Sequence, residues 1–265
     1  MTASRLENRL ALVFGAGSVG PGWGNGKASA VAYARAGARV VCVDINRTAA
    51  EETAGIIASE GGKAEALACD VTRSAEVDDV VGHAIAAFGA VDILHNNVGH
   101  ALMGGPPDLS EDDWHREIDL NVTGMFLACK AVIPGMLAQG KGVITNISSV
   151  AAIRFTGYRY ASYYAAKGAV NQFTVGIALQ YARQGLRANA IMPGLMDTPL
   201  IYQQITGAYT SPDAMVKERH EASPTGRMGT GWDIAHAAVF LASDEASYIN
   251  AVCLPVDGGL TARCA

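Results

Sequence analysis

The chain has 265 residues, half of them apolar, and a formal net charge of −5. That length and apolar content can bury one substantial α/β core. The weak negative charge excludes the basic surface that would attract nucleic acid or an anionic membrane.

The five cysteines are scattered and form no C-x-x-C pair or Cys/His cluster. We therefore expect buried thiols in a reducing compartment, with Cys264 exposed near the end of the chain, and no metal site. The first nine residues carry no apolar signal core, and no apolar run reaches transmembrane length. These features predict a cytoplasmic protein.

Apolar strands alternate with helical patterns along the chain. Residues 10–14 form a strand that runs into a glycine-rich loop, then a helix at 25–36 and a strand at 38–44. A strand–helix–strand unit of this kind requires a right-handed crossover and a parallel sheet. The remaining predicted strands are 64–69, 91–95, 142–147, 186–192 and 251–256, and the remaining helices are 48–59, 74–88, 111–138, 233–241 and one around Tyr163.

This alternation predicts one Rossmann-like α/β domain over residues 1–265, a doubly wound parallel sheet with helices on both faces. Ligands of such sheets bind at the carboxyl ends of the strands. Residues 197–227 read as a long irregular segment, which we expect to be a lid over the substrate.

The loop at residues 15–26 joins the first strand to the first helix, where backbone N–H groups and the helix dipole can hold a pyrophosphate. It is about five residues longer than the compact fingerprint, so Gly20 and Gly22 remain candidates. Our assignment places the cofactor contacts of this loop at Gly15, Ser18, Gly24, Asn25 and Gly26.

Asp44 ends the second strand. A carboxylate there can accept hydrogen bonds from the adenosine ribose hydroxyls and repel a 2′-phosphate. This favours NAD(H), with NADP(H) the less favoured cofactor, although Arg47 lies close by.

Tyr163 and Lys167 are four residues apart on a predicted helix, so they share one face. The ammonium group should favour the phenolate and lower the tyrosine pKa, which would suit a general acid or base.

These motifs stand in the order found in the short-chain dehydrogenase/reductase family, which the chain resembles over essentially its whole length. Asn96-Asn97-Val98-Gly99 resembles that family's Asn-Asn-Ala-Gly, and Cys69-Asp70-Val71 resembles its adenine-flanking segment. Residues 193–198 are similar to the segment that holds the nicotinamide carboxamide, and residues 256–259 to the C-terminal motif. One departure is Phe14, where the family usually has threonine.

The resemblance implies a catalytic tetrad of Asn121, Ser149, Tyr163 and Lys167. Ser149 is one residue further from Tyr163 than is usual, which leaves Ser148 as the alternative. The further cofactor contacts implied are Asp70, Val71, Asn97, Gly99, Tyr163, Lys167, Pro193, Gly194, Met196 and Thr198.

The implied activity is an NAD(P)-dependent oxidoreductase that transfers a hydride between nicotinamide and a secondary alcohol or ketone. Tyr163 would exchange the hydroxyl proton, Lys167 would stabilise the phenolate and bind the nicotinamide ribose, and Ser149 would hold the substrate oxygen. Asn121 would support a water chain. Two alternatives remain: an NADPH-dependent carbonyl or 3-oxoacyl-carrier-protein reductase, and a catalytically silent NAD(H)-binding sensor or scaffold.

The substrate is expected to be a small-molecule alcohol or ketone, and the resemblance implies a homotetramer. The segments after Gly99 and before Tyr163 should line the substrate side, at His100, Ser149, Arg154, Tyr158, Arg159 and Tyr160. Arg154 and Arg159 could pair with a carboxylate or phosphate, or stand solvated on the surface.

Overall fold

The computed structural model describes residues 5–263 and contains a central parallel sheet. Its strands are β1 (Leu10–Phe14), β2 (Arg39–Asp44), β3 (Ala64–Ala68), β4 (Ile93–Asn96), β5 (Gly142–Ile147), β6 (Leu186–Pro193) and, after two short strands, β9 (Cys253–Val256). They lie in the order β3-β2-β1-β4-β5-β6-β9. The order reverses between β1 and β4, which is where an open sheet of this kind forms its ligand crevice. The short strands β7 (Met196–Asp197) and β8 (Gly229–Thr230) pair separately.

Helices cover both faces of the sheet, as predicted. They are α1 (Asn25–Arg35), α2 (Arg47–Ser59), α3 (Ser74–Phe88), α4 (Glu111–Ile118), α5 (Gly124–Ala138), α6 (Ala161–Tyr181), α7 (Pro199–Gln204), α8 (Pro212–Ala222) and α9 (Gly231–Ala242). Alternate residues of β1 enter different cores: Ala11 and Val13 pack with α1 and α9, whereas Leu12 packs with α3 and α5. Both strand faces are covered, which explains the continuous apolar sequence of β1.

Two predicted segments differ from the observed ones. Residues 197–227 are not irregular, because they contain α7 and α8. Ser211 begins α8 by accepting a hydrogen bond from the Ala214 N–H at 3.0 Å, and Pro212 occupies its first turn. The helix predicted at 111–138 is interrupted by a π-helical turn, Asp119–Thr123, between α4 and α5.

By length and composition alone, the combined helix Glu111–Ala138 could span a membrane. In the fold, α4 packs against α6 and α5 against α3. The thiols of Cys42, Cys69 and Cys129 are buried, and burial raises the pKa of each to about 12. Cys264 lies outside the described residues.

Candidate active site

A cavity of about 470 Å³ runs along the carboxyl ends of the strands. At one end it meets the loop after β1 and the end of β2, and at the other it meets α7 and α8. All of the residues predicted to contact the cofactor line it: Gly15, Ser18, Gly24, Asn25, Gly26, Asp44, Asp70, Val71, Asn97, Gly99, Tyr163, Lys167, Pro193, Gly194, Met196 and Thr198. Gly17 also lines the cavity, although our assignment of cofactor contacts did not include it. The Gly15-x-Gly17 spacing in the sequence could have indicated this residue.

The start of α1 offers free hydrogen-bonding groups to this cavity. Its N-cap is Gly24, which has no side chain to satisfy the first-turn N–H groups, and no acidic residue follows in that turn. The buried Oδ1 of Asn25 has no hydrogen-bond partner among residues 5–263. Unsatisfied N–H groups and a positive dipole end fit the diphosphate of a nicotinamide dinucleotide.

The two glycines left open by the loop length lie outside the cavity lining. A Cβ atom at Gly20 would lie 3.6 Å from Pro199, and one at Gly22 would lie 3.4 Å from it. The extra length of the loop therefore packs against α7, where the Gln203 amide also donates to the Val19 carbonyl at 2.8 Å.

Asp44 holds the glycine-rich loop from the end of β2. Its carboxylate accepts hydrogen bonds from the N–H groups of Gly17 and Asn46, both at 3.0 Å. Arg47 does not line the cavity, and its guanidinium is paired with Glu51 at 2.8 Å. Within residues 5–263, Asp44 lines this end of the cavity and no arginine lines it there.

Tyr163 and Lys167 project from the first turns of α6 into the cavity. Lys167 Nζ lies 5.5 Å from the centre of the Tyr163 ring and donates to the Ile147 carbonyl at 3.1 Å. Burial raises the pKa of Tyr163 to about 12, although the Ser149 hydroxyl acts in the opposite direction. The expected lowering of the tyrosine pKa is therefore wrong for the protein alone, because burial outweighs the opposing effect of the Ser149 hydroxyl.

The structure distinguishes the two candidate serines. Ser148 is buried, and its hydroxyl donates to the Lys167 carbonyl at 3.2 Å. Ser149 accepts a hydrogen bond from the Ala151 N–H at 3.1 Å and contacts the phenol of Tyr163. The geometry favours Ser149 as the hydroxyl available to a substrate.

Asn121 lies in the π-helical turn and is completely buried, without lining the cavity. Its amide donates to the carbonyls of His100 and Glu117, both at 2.9 Å. A Cβ atom at Gly99 would lie 3.0 Å from both Asn121 Oδ1 and Lys167 Nζ. The loop after β4 is thus held tightly between these two side chains, and π-helical turns are frequent at functional sites.

Glu117 is a buried group that the sequence analysis missed. Its side chain is fully buried, pairs with the His100 ring and accepts from the Leu102 N–H at 3.2 Å. Burial has the largest effect on the pKa of both Tyr163 and Lys167, raising the first and lowering the second, and the Glu117 charge acts upward on each. The available signal was a carboxylate one helical turn before Asn121, inside the helix predicted at 111–138.

The structure places some of the predicted substrate-side residues at the cavity and others away from it. His100, Ser149, Tyr158 and Tyr160 line the cavity, whereas Arg154 and Arg159 do not. Arg159 is exposed and pairs with Asp108, and Arg154 donates to the Ile153 and Thr261 carbonyls. Among the residues that the structure describes, Arg219 on α8 is the arginine that lines the cavity.

Lys167 provides a prediction about pH. Burial lowers its pKa from 10.5 to about 8, so between these values the unfolded chain binds more protons than the folded protein. The contribution of Lys167 to the free energy of unfolding should therefore increase as the pH rises from about 8 to 10.5. We expect the stability of the wild type relative to Lys167→Met to rise over this range in urea denaturation. A difference independent of pH would contradict the buried, depressed lysine.

Comparisons with known proteins identify the family to which the chain is similar. The family model described as enoyl-(acyl carrier protein) reductase matches residues 21–261. The 2-(S)-hydroxypropyl-CoM dehydrogenase 3 of Xanthobacter autotrophicus is 38% identical over 98% of this chain and 99% of its own. A structure from Burkholderia xenovorans assigned to the short-chain dehydrogenases/reductases has a TM-score of 0.93 and 42% identity, covering 99% of this chain and 100% of that one. A gluconate 5-dehydrogenase from Burkholderia cenocepacia, in complex with NADP and tartrate, has a TM-score of 0.88 and 34% identity, covering 98% of each chain.

Proposed function

The chain belongs to the short-chain dehydrogenase/reductase family, and from this premise we propose which of its residues perform the reaction and which nucleotide it prefers. It is an oxidoreductase that transfers a hydride between a nicotinamide cofactor and a secondary alcohol or ketone. The observation that carries our assignment of roles is the placement of Tyr163, Lys167 and Ser149 on one wall of the cavity.

In alcohol oxidation, the Tyr163 phenolate takes the hydroxyl proton, and in ketone reduction the Tyr163 phenol returns that proton. Ser149 holds the substrate oxygen, because a hydroxyl can donate or accept a hydrogen bond. Lys167 stabilises the phenolate, and Asn121 fixes the loop that carries Gly99. When bound, an oxidised nicotinamide supplies the hydride acceptor and a positive charge that favours the phenolate.

The assignment is tested by mixing the purified protein with NAD⁺ or NADP⁺ and a panel of secondary alcohols, polyols, hydroxy acids and cyclic diols. We expect reduced nicotinamide to appear, detected by its absorbance. Binding of NADH without turnover of any substrate would support the silent sensor instead. Failure to bind either nucleotide would contradict the interpretation of the glycine-rich loop.

We propose that NAD(H) is preferred over NADP(H), because Asp44 would repel a 2′-phosphate. Asp44→Asn keeps the size of the side chain and removes its charge. The ratio of kcat/KM for NAD⁺ to that for NADP⁺ should fall by roughly 10- to 100-fold, equivalent to about 1.4–2.8 kcal/mol. The matched control is Asp79→Asn on the exposed face of α3, which should leave the ratio unchanged. An equal loss with both nucleotides would mean that Asp44 only holds the loop.

The competing proposal is an NADPH-dependent carbonyl or 3-oxoacyl-carrier-protein reductase. The related gluconate 5-dehydrogenase holds NADP. Within residues 5–263, however, the lysine and arginine side chains that line the cavity are Lys167 and Arg219. Both contact tyrosines at the opposite end from Asp44, so neither supports binding of a 2′-phosphate.

We also propose a cytoplasmic homotetramer. Two large apolar side chains, Phe126 on α5 and Leu179 on α6, are exposed, at 47% and 65% exposure. Exposed apolar groups of this size support an interface between subunits. The four cysteines within residues 5–263 are free, which supports a reducing compartment.

A further inference from the structure

Arg219 is a buried cation in the cavity wall. Only 6% of its surface is exposed, and arginine remains charged at any physiological pH. Removing such a charge from water costs several kcal/mol unless it is paired and hydrogen-bonded. The surroundings of Arg219 therefore indicate what it is placed to bind.

The protein itself offers Arg219 no anion. Its Nη1 donates to the Tyr158 hydroxyl at 3.1 Å and its Nε to the Met228 sulfur at 3.3 Å, both neutral groups. Arg219 forms no ion pair with any carboxylate in residues 5–263, and its Nη2 donates to no acceptor there. Lys27, which is comparably buried, pairs with Glu52 at 2.5 Å. The difference is that Arg219 faces a cavity.

An aromatic wall connects Arg219 to the proposed reaction centre. The Tyr158 and Tyr160 rings lie 5.2 Å apart, and the Tyr160 and Tyr163 rings lie 5.7 Å apart. Ile205 and Met215 complete an apolar cluster around Tyr160. A ligand along this wall would meet the Tyr163 phenol at one end, apolar surface in the middle and the Arg219 guanidinium at the other end.

We propose that Arg219 binds an oxyanion of the substrate, so that the substrate is a secondary alcohol or ketone carrying a carboxylate or sulfonate on a short apolar spacer. Two parallel N–H groups of a guanidinium match the geometry of such an oxyanion. The Tyr158 hydroxyl, whose pKa burial raises to about 12, remains a neutral hydrogen-bonding group beside it. This inference rests on the proposed function, since it names the substrate class of the same site.

The first test compares each acid with its neutral amide. The series is 3-hydroxybutyrate, 4-hydroxypentanoate and 5-hydroxyhexanoate, with sulfonates of the same lengths. We expect the wild type to prefer one anion over its amide, and Arg219→Met to lower kcat/KM for that anion by roughly 10- to 100-fold, mainly through KM. The amide should change by less than about threefold. The control is Arg159→Met, an arginine outside the cavity, which should leave both substrates unchanged.

A second test needs no turnover. Butyrate or ethanesulfonate should raise the Tm of the wild type above that in chloride of equal ionic strength, and should not raise the Tm of Arg219→Met. Arg219→Lys, which keeps the charge and loses the paired N–H groups, should retain a smaller shift.

The outcomes separate the two proposals. Oxidation of amides and anions with equal kcat/KM by the wild type would overturn the anion site and leave the dehydrogenase assignment intact. An anion-dependent rise in Tm that disappears in Arg219→Met, without turnover of any alcohol, would support the site and contradict the proposed function. Equal losses on acid and amide in Arg219→Met would show that Arg219 only supports Tyr158. If Arg219→Met does not fold, Arg219→Lys and the wild-type comparison of acid with amide decide the question.

Discussion

Tyr163→Phe is expected to lower kcat/KM for alcohol oxidation by roughly 10²- to 10⁴-fold, the range typical of a lost general acid or base. The substitution removes one oxygen atom and keeps the ring, which packs edge-on against Tyr160 at 5.7 Å. Binding of the nucleotide should therefore change little. The measurement is steady-state kinetics with the best alcohol from the panel, beside NADH binding followed by tryptophan fluorescence.

The matched control is Tyr164→Phe, at the neighbouring position on α6. The Tyr164 hydroxyl accepts from the Thr156 N–H at 3.0 Å and donates to the Tyr158 carbonyl at 2.9 Å, and it does not line the cavity. Its loss should reduce stability by about 1 kcal/mol, with kcat nearly unchanged. Comparable kinetic losses in the two variants would place the proton exchange elsewhere. His100, which lines the same cavity, would then be the first candidate.

The order of strands and helices could be predicted because each element carries its own periodic signal. β1 reads as continuously apolar since both of its faces are buried, and α3 was predicted with its observed bounds, Ser74–Phe88. The predictions of helices fail where the sequence signal covers only a few residues, or where the structure depends on contacts between distant parts of the chain. α8 has a mean composition too polar to show an apolar stripe, so that only its Ser-Pro start indicates a helix.

The residues of the site also fall into those that could be predicted from the sequence and those that could not. Glycines, Asp44 and the Tyr163–Lys167 pair follow from the positions of strand ends and one helical turn. Glu117 and Arg219 could not be assigned to the site from the sequence, because a charged residue on a helix normally faces water. Their roles depend on their burial, which the sequence does not show. Only the packed structure shows that Glu117 pairs with His100 and that Arg219 lacks a carboxylate partner within residues 5–263. The pKa of Tyr163 was predicted in the wrong direction for the same reason.

Gly26→Ala is expected to abolish nucleotide binding and to lower the free energy of unfolding by roughly 3 kcal/mol or more, a severe steric case. A Cβ atom at this position would lie 1.9 Å from the Gly15 carbonyl oxygen and 2.6 Å from Asn97 Nδ2. The backbone at Gly15 cannot easily move away from this Cβ atom, because the Gly15 N–H donates to the Val43 carbonyl at 2.8 Å. The start of α1 would have to move away from β1, which would displace the N–H groups that face the cavity.

Gly82→Ala in α3 is the same type of substitution, but we expect it to change the free energy of unfolding in the opposite direction. Gly82 lies in a helix at an exposed position, and a Cβ atom there would meet nothing within 4 Å. It should increase the free energy of unfolding by about 0.5–1 kcal/mol, because alanine loses less backbone entropy on folding. Urea denaturation and NADH binding compare the two variants directly. Wild-type stability and affinity in Gly26→Ala would mean that α1 can shift outward without cost, and the close approach of Gly26 to Gly15 would then not be what positions the diphosphate site.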